Sequence, residues 1–205
     1  VKAFLDRVCL MIQLSIDTCN SLCAVALSRW QNDRLQLVAK DTRDLGRGHA
    51  EVLIGQIAQL LAESGLRAAD MQRIAVTTGP GSICDARRDA AYVKAVDRDG
   101  TVRIKASLIQ VSDLAAQIDI LPEPLCLIGS GVSLVEAATG VAPSQDRKCL
   151  DIAFPDIATI AELGHTMNAA DNPAKPLYLR GADAKPQSAK HVLRPAATDH
   201  HEVSL

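Results

Sequence analysis

Residues 74–82, Ile-Ala-Val-Thr-Thr-Gly-Pro-Gly-Ser, constrain this chain more than any other stretch. An apolar, β-branched run ends in a Gly-Pro-Gly turn. Such a turn ordinarily hands a parallel strand to a helix, because parallel neighbours need a long crossover connection. Here the turn is followed at once by Ile83-Cys84-Asp85-Ala86-Arg87-Arg88, which reads as another strand opening a new unit. The chain joins strand to strand where a helix is expected.

The segment before this junction reads as an antiparallel meander, then a helix, then a strand. Residues 12–16 alternate in polarity and predict a strand. Asp17-Thr18-Cys19-Asn20 is a turn cluster. Residues 22–27 and 35–40 predict two further strands, separated by Gln31-Asn32-Asp33. A helix is predicted over residues 49–64, with Leu53, Ile57, Leu60 and Leu61 at helical spacing and Gly65 placed to stop it. Val52, Ile54 and Ala58 widen its apolar arc beyond one sheet face, which points to a second covering surface. That surface is covered by another helix or by another chain; for the second case Val52, Leu53, Ile54, Ile57, Leu60 and Leu61 are the candidate partner interface. Residues 73–77 predict the strand that reaches the junction.

After the junction the pattern restarts. Asp85 follows a strand-like run as Asp17 does, and each is followed eight to ten residues on by an apolar triplet, Val25-Ala26-Leu27 or Val93-Lys94-Ala95. Turns follow at Asn32-Asp33 and Asp99-Gly100. This suggests an internal duplication; the alternative is that two hairpin meanders simply look alike. Further on, a helix is predicted over residues 112–118 with Ser112 as N-cap. Residues 125–128 predict a strand ending in Gly129-Ser130-Gly131. A helix over residues 133–139 follows, ended by Gly140, and a last one over residues 156–167 with Pro155 in its first turn. Strands mixed with helices in this order fit an α/β fold. The expected organisation is an extension over residues 1–10, an N-terminal unit over 11–82, a C-terminal unit over 83–187 and a disordered tail over 188–205.

Composition removes several functions. Aromatic residues make up 2% of the 205 residues, too few for a base-stacking platform. The net charge of −2 argues against a broad phosphate-binding surface. The six cysteines form no Cys-x-x-Cys pair and fit small apolar packing in a reducing cytosol. No apolar run reaches membrane-spanning length; the cysteine usage makes the cytoplasm the expected location.

The chemical equipment is sparse. Gly79-Pro80-Gly81-Ser82 lacks the lysine and the spacing of a P-loop. Gly129-Ser130-Gly131 precedes a helix and could hold an anion, or could serve close packing. Asp17 ends the first strand, where actin- and hexokinase-like ATPases place a metal-orienting carboxylate; it could equally cap its own turn. Asp85 is its positional counterpart. His49 opens the first helix, but position 53 is Leu53, so an i, i+4 metal pair is absent. Ser82 lies in no Gly-x-Ser-x-Gly motif. No catalytic residue, metal or cofactor is expected.

Taken together these residues resemble the bacterial TsaB family, also called YeaZ. The resemblance rests on Ile16-Asp17-Thr18, the strand Ala24-Val25-Ala26-Leu27, His49 opening the helix, and Ile74-Ala75-Val76 leading into Gly79, Pro80, Gly81 and Ser82. It continues in Asp85-Ala86-Arg87-Arg88 and the closing Pro176-Leu177-Tyr178-Leu179-Arg180, and covers most of residues 11–187. It implies a duplicated actin-like (ASKHA, ribonuclease-H-like) fold without usable ATP or metal sites. It also implies a non-catalytic subunit supporting a TsaD-like catalytic subunit in forming N6-threonylcarbamoyladenosine at position 37 of tRNA, with a TsaE-like ATPase as further partner. A homodimer is possible, and tRNA would be touched only indirectly. Competing readings are an actin-like ATP-dependent enzyme, a glycoprotease-like hydrolase, or a degenerate relative without activity.

The chain departs from the family at the junction. There, Gly-Pro-Gly-Ser leads into Phe-Thr-Gly and a helix–strand–helix block before Asp-Ala-Arg-Arg; here Ser82 abuts Ile83. The first domain is expected to be incomplete, with the first docking helix kept and the second missing.

Overall fold

The computed structural model describes residues 10–19, 21–32, 34–79, 83–140 and 143–179. Most of the expected extension, the residues Pro80, Gly81 and Ser82, Arg180 and the expected tail lie outside the described residues.

The first half builds one sheet and one helix. Strands β1 (Leu10–Asp17), β2 (Leu22–Gln31) and β3 (Arg34–Asp44) form the meander, α1 (His49–Ser64) follows, and β4 (Arg73–Val76) closes the unit. The strand order is β3-β2-β1-β4, with β1 antiparallel to β2 and parallel to β4. The two faces of this sheet differ in character. Leu14, Val25 and Leu27 point to α1 and meet Leu53, Ile57, Leu60 and Leu61. Ala24 and Ala26 point the other way. The alternation required of a strand buried on both faces is met by larger side chains on one side and small ones on the other. Gly65 ends α1 in the left-handed region (φ 68°), its N–H bonded to the carbonyls of Leu61 and Ala62, as a helix stop requires.

The second half repeats the order of elements. Strands β5 (Ile83–Asp85), β6 (Ala90–Val96) and β7 (Val102–Gln110) form a second meander, followed by α2 (Val111–Asp119) and β8 (Leu125–Ile128). Then come α3 (Val132–Thr139), β9 (Arg147–Leu150) and α4 (Ile157–Thr166). The pairing repeats only in part. The counterpart of β4 is β8, yet β8 pairs in parallel with β9 rather than with β5. Ile83, Val93, Leu114, Ile118, Leu127 and Val135 are among the residues of this half's core.

The last helix returns to the first half. Ile157 and Ile160 of α4 pack on Ala24 and Ala26, and Gln13 of β1, fully buried, donates from Nε2 to the Ala161 carbonyl at 2.8 Å. The first sheet is thus covered by α1 on one face and α4 on the other. Among the described residues no helix is long and apolar enough to cross a membrane.

Some local expectations change. Gln110, not Ser112, caps α2, because β7 runs directly into the helix with Gln110 still extended. Asp156 is the N-cap of α4 and not its first helical residue, so Pro155 lies before the helix and not in its first turn; the Asp156 carboxylate accepts from the Ala158 N–H at 2.9 Å. Strand β9 was not expected: it is four residues long, carries Arg147 and Lys148, and is defined by its pairing with β8.

Candidate functional site

Asp17 ends β1 in a tight polar knot. It is 5% exposed. Its Oδ1 accepts from the Cys19 backbone N–H at 3.0 Å and from the Thr77 hydroxyl at 2.6 Å. The Cys19 thiol in turn donates to Thr77 Oγ1 at 3.1 Å. Burial, above all, pushes the Cys19 thiol up from its ordinary value, while the Thr77 contact acts the other way. The thiol stays protonated near neutral pH and is a poor nucleophile. The first bond is an Asx-turn, in which a carboxylate caps the backbone two residues on. The knot ties the end of β1 to the end of β4.

Asp85 repeats this turn in the second half. Its Oδ1 accepts from the Arg87 N–H at 2.6 Å, and its own N–H bonds Ser130 Oγ at 3.4 Å. Asp85 is exposed, unlike Asp17. The following Arg87, Arg88 and Asp89 all lie in the left-handed region, at φ 60°, 55° and 54°. Consecutive non-glycine residues rarely adopt this conformation, because Cβ crowds the carbonyl oxygen. The turn is held by the Ala86 N–H to the Ala90 carbonyl at 2.9 Å and presents Arg87 and Arg88 outward.

The glycines serve close approach. A side chain at Gly129 would collide with the Ile83 carbonyl, and one at Gly131 would lie 2.9 Å from Ile83 Cγ2. The Gly131 N–H bonds that same carbonyl at 3.2 Å. Gly129-Ser130-Gly131 therefore packs β5 against the start of α3. At the junction, Gly79 lies under Leu177, whose N–H donates to the Thr78 carbonyl at 2.6 Å. Residues 176–179, Thr18, Cys19, Thr77 and Tyr92 line a cavity of about 390 Å³ here. Motif residues far apart in sequence, Asp17, Gly79 and the closing Leu177-Tyr178, thus converge at the ends of β1 and β4. Thr77 and Cys19 complete this group without having been singled out in the sequence. The signal was available, since a threonine after a parallel strand faces the end of its neighbour.

The other sequence candidates lie on α1. His49 is its first residue and half-buried, with Nε2 buried and unbonded among the described atoms. Leu60 is in the core, and Leu53, Ile57 and Leu61 are packed against it. Val52 is half-buried, while Ile54 is 71% exposed. On the same sheet face as α1, Ile74 and Val76 of β4 pair with Leu14 and Ile16 and are 60% and 36% exposed. The contacts of α1 fall mainly on β2 and β3, and Ile74 and Val76 stay exposed. Among the described residues no group of three or more His, Cys, Asp or Glu is placed to hold a metal ion.

The model of the TsaD family, tRNA N6-adenosine threonylcarbamoyltransferase, matches residues 43–132. A curated protein of that description from Maricaulis maris (strain MCS10) is 54% identical over 37 residues, 18% of this chain and 10% of its own length. The chain therefore spans about a tenth of that relative. Two solved structures share the architecture. One is described as an uncharacterized protein with similarity to peptidase YEAZ from Pseudomonas aeruginosa, at TM-score 0.56 and 18% identity, covering 83% of this chain and 100% of that one. The other is YeaZ from Pseudomonas aeruginosa, at TM-score 0.56 and 16% identity, covering 81% and 100%. The resemblance read from the motifs holds in three dimensions: this chain has the α/β fold of YeaZ and carries a segment matched by the TsaD family model.

Proposed function

We propose that the chain is a non-catalytic subunit of the machinery that forms N6-threonylcarbamoyladenosine at position 37 of tRNA, where it binds and supports a TsaD-like catalytic subunit in the cytoplasm. The observation that carries this reading is the state of Asp17. In a YeaZ-like fold this carboxylate would have to face a phosphate-bound metal to work as in related ATPases. Here it is buried and spent on Thr77 and Cys19. The docking surface takes in the exposed apolar side chains Ile54 of α1 and Ile74 and Val76 of β4. A TsaE-like ATPase would join through the assembled pair, and tRNA would be reached through the catalytic subunit. Complementation tests this: the gene is expressed in cells lacking TsaB, and the modified nucleoside is measured in bulk tRNA. Restoration supports the reading; its failure together with failure to capture TsaD sinks it.

A second reading is favoured by the TsaD match over residues 43–132, namely a fragment-like relative of the catalytic subunit. His49 is the sole histidine in that segment, so a histidine pair for metal would have to come from elsewhere in the chain. Micromolar ATP binding by the isolated chain would favour this second reading over the first.

A further inference from the structure

The second half contains a gap between two open strand edges. Strand β5 pairs with β6 through Ile83↔Val93, Cys84↔Tyr92 and Asp85↔Ala91. Strand β6 then runs on through Lys94, Ala95 and Val96, with no partner on that side among the described residues. Strand β8 pairs with β9 along one edge, and its other edge is unpaired among the described residues. A cavity of about 810 Å³ lies between them, with Val93, Ala95 and Ile104 on one wall, Leu125 and Leu127 on the other and Ile118 between.

The first half shows what belongs there. Strand β1 lies between β2 and β4, antiparallel to one and parallel to the other. Its counterpart β5 is three residues long against eight for β1. The gap is the place a longer β5 would fill. Unpaired backbone N–H and C=O groups on two edges call for an extended segment, which both edges can hydrogen-bond. A cavity walled by apolar side chains calls for apolar residues at every second position of that segment. Along the four residues of β8 the segment would run for about 13 Å.

The rim gives the occupant its charge. Lys94, Arg98 and Lys148 line the cavity, are exposed, and have no ion-pair partner among the described residues. The acidic side chains Asp97 and Glu123 are engaged by Arg103 and Arg147, which leaves Asp146 against three cations. A second copy is a poor donor: β1, which ends in Asp17, is buried in the first sheet, and the edge strand β7 carries Arg103 and Lys105 between its apolar positions, where the cationic rim repels them. We propose that this gap binds an extended peptide segment of another protein, apolar at alternate positions and acidic at its flanks, added parallel to β8 and antiparallel to β6.

The probe is a fluorescein-labelled peptide, Asp-Val-Ser-Val-Ser-Val-Asp, titrated with the full chain and followed by anisotropy. Saturable binding in the micromolar range is expected. N-methylation of alternate backbone amides should weaken it about tenfold or more, because strand addition is carried by main-chain bonds. The double variant Lys94→Glu with Lys148→Glu, both on the surface, should reverse the preference toward a lysine-flanked version of the peptide. Bound peptide should also slow alkylation of Cys126, an exposed thiol in the cavity wall. Absence of saturable binding, or binding indifferent to N-methylation and to charge reversal, overturns the proposal. So does a concentration-dependent dimer of the chain that the charge reversal dissolves, since the gap would then be filled by a second copy.

Discussion

At the scale of single residues the two aspartates at the strand ends carry the most information. Asp17 and Asp85 make the same turn, but only Asp17 is buried, and only it is joined by a threonine from the neighbouring strand. Thr77→Val keeps the shape and removes the hydroxyl between Asp17 and Cys19. The buried carboxylate then loses one of its donors, and stability should fall by about 1–3 kcal/mol in urea unfolding. With its thiol held up by burial, Cys19 should react with iodoacetamide at pH 8 more slowly than exposed Cys126. The turn after Asp85 behaves differently, because its three left-handed residues oppose the fold. Arg87→Gly relieves one of them and should raise stability by about 1 kcal/mol, less the extra chain entropy of glycine. If the same variant weakens capture of TsaD, the strained turn serves the partner rather than the fold. Asp17 was readable as a carboxylate at a strand end, but whether it served chemistry or its own turn depended on Thr77, sixty residues away.

Among the elements, α4 shows how a helix late in the chain becomes part of the first sheet. Its N-terminus is capped by Asp156. Its C-terminus is held by Arg73 of β4, whose Nη1 bonds the carbonyls of Gly164 and His165 at 2.7 and 3.1 Å and that of Met167 at 2.9 Å. Gly164 sits against the Ala75 side chain, so close that a Cβ there would collide with it. The His165 ring stacks on Trp30 of β2, with centroids 3.6 Å apart. Asp156→Ala should cost about 1 kcal/mol, as lost N-caps do. The Ala158 N–H, first, and then Lys40 hold the Asp156 carboxyl below its ordinary value of 3.8. Its contribution is therefore complete above that value and is lost as pH falls through the lower folded one, so wild type and variant should converge in stability in strong acid. His165→Ala uncovers one face of Trp30, the sole tryptophan of the chain, and should shift its emission to the red while costing about 1 kcal/mol. The periodicity of residues 157–166 announced a helix but not its berth. That was decided by Gly164, Gln13 and the alanines of β2, which are small or polar and look unremarkable in sequence.

For the molecule as a whole, the first sheet ends at β4, with no further strand beside it among the described residues. Ile74 and Val76 of β4 are exposed apolar side chains on that edge, and Ile54 is an exposed one on α1; an open strand carrying such residues invites pairing or association. Sedimentation of the purified chain should show self-association that Ile54→Glu with Ile74→Glu reduces; a monodisperse wild-type monomer would count against it. The same double variant should lower capture of TsaD if this edge is the docking surface. The sequence by itself determined the order of elements apart from β9, the caps at Gly65 and Gly140, the placing of an aspartate at each strand end and the abrupt junction at residues 79–83, because these follow from local periodicity and from residues with special backbone freedom. Tertiary structure decided that α4 crosses to the first sheet, that β8 pairs with β9 and leaves a gap beside β6, and that Asp17 is occupied. Those outcomes depend on which surfaces meet across long sequence separations, and a parallel strand or a helix face does not name its partner in its own residues.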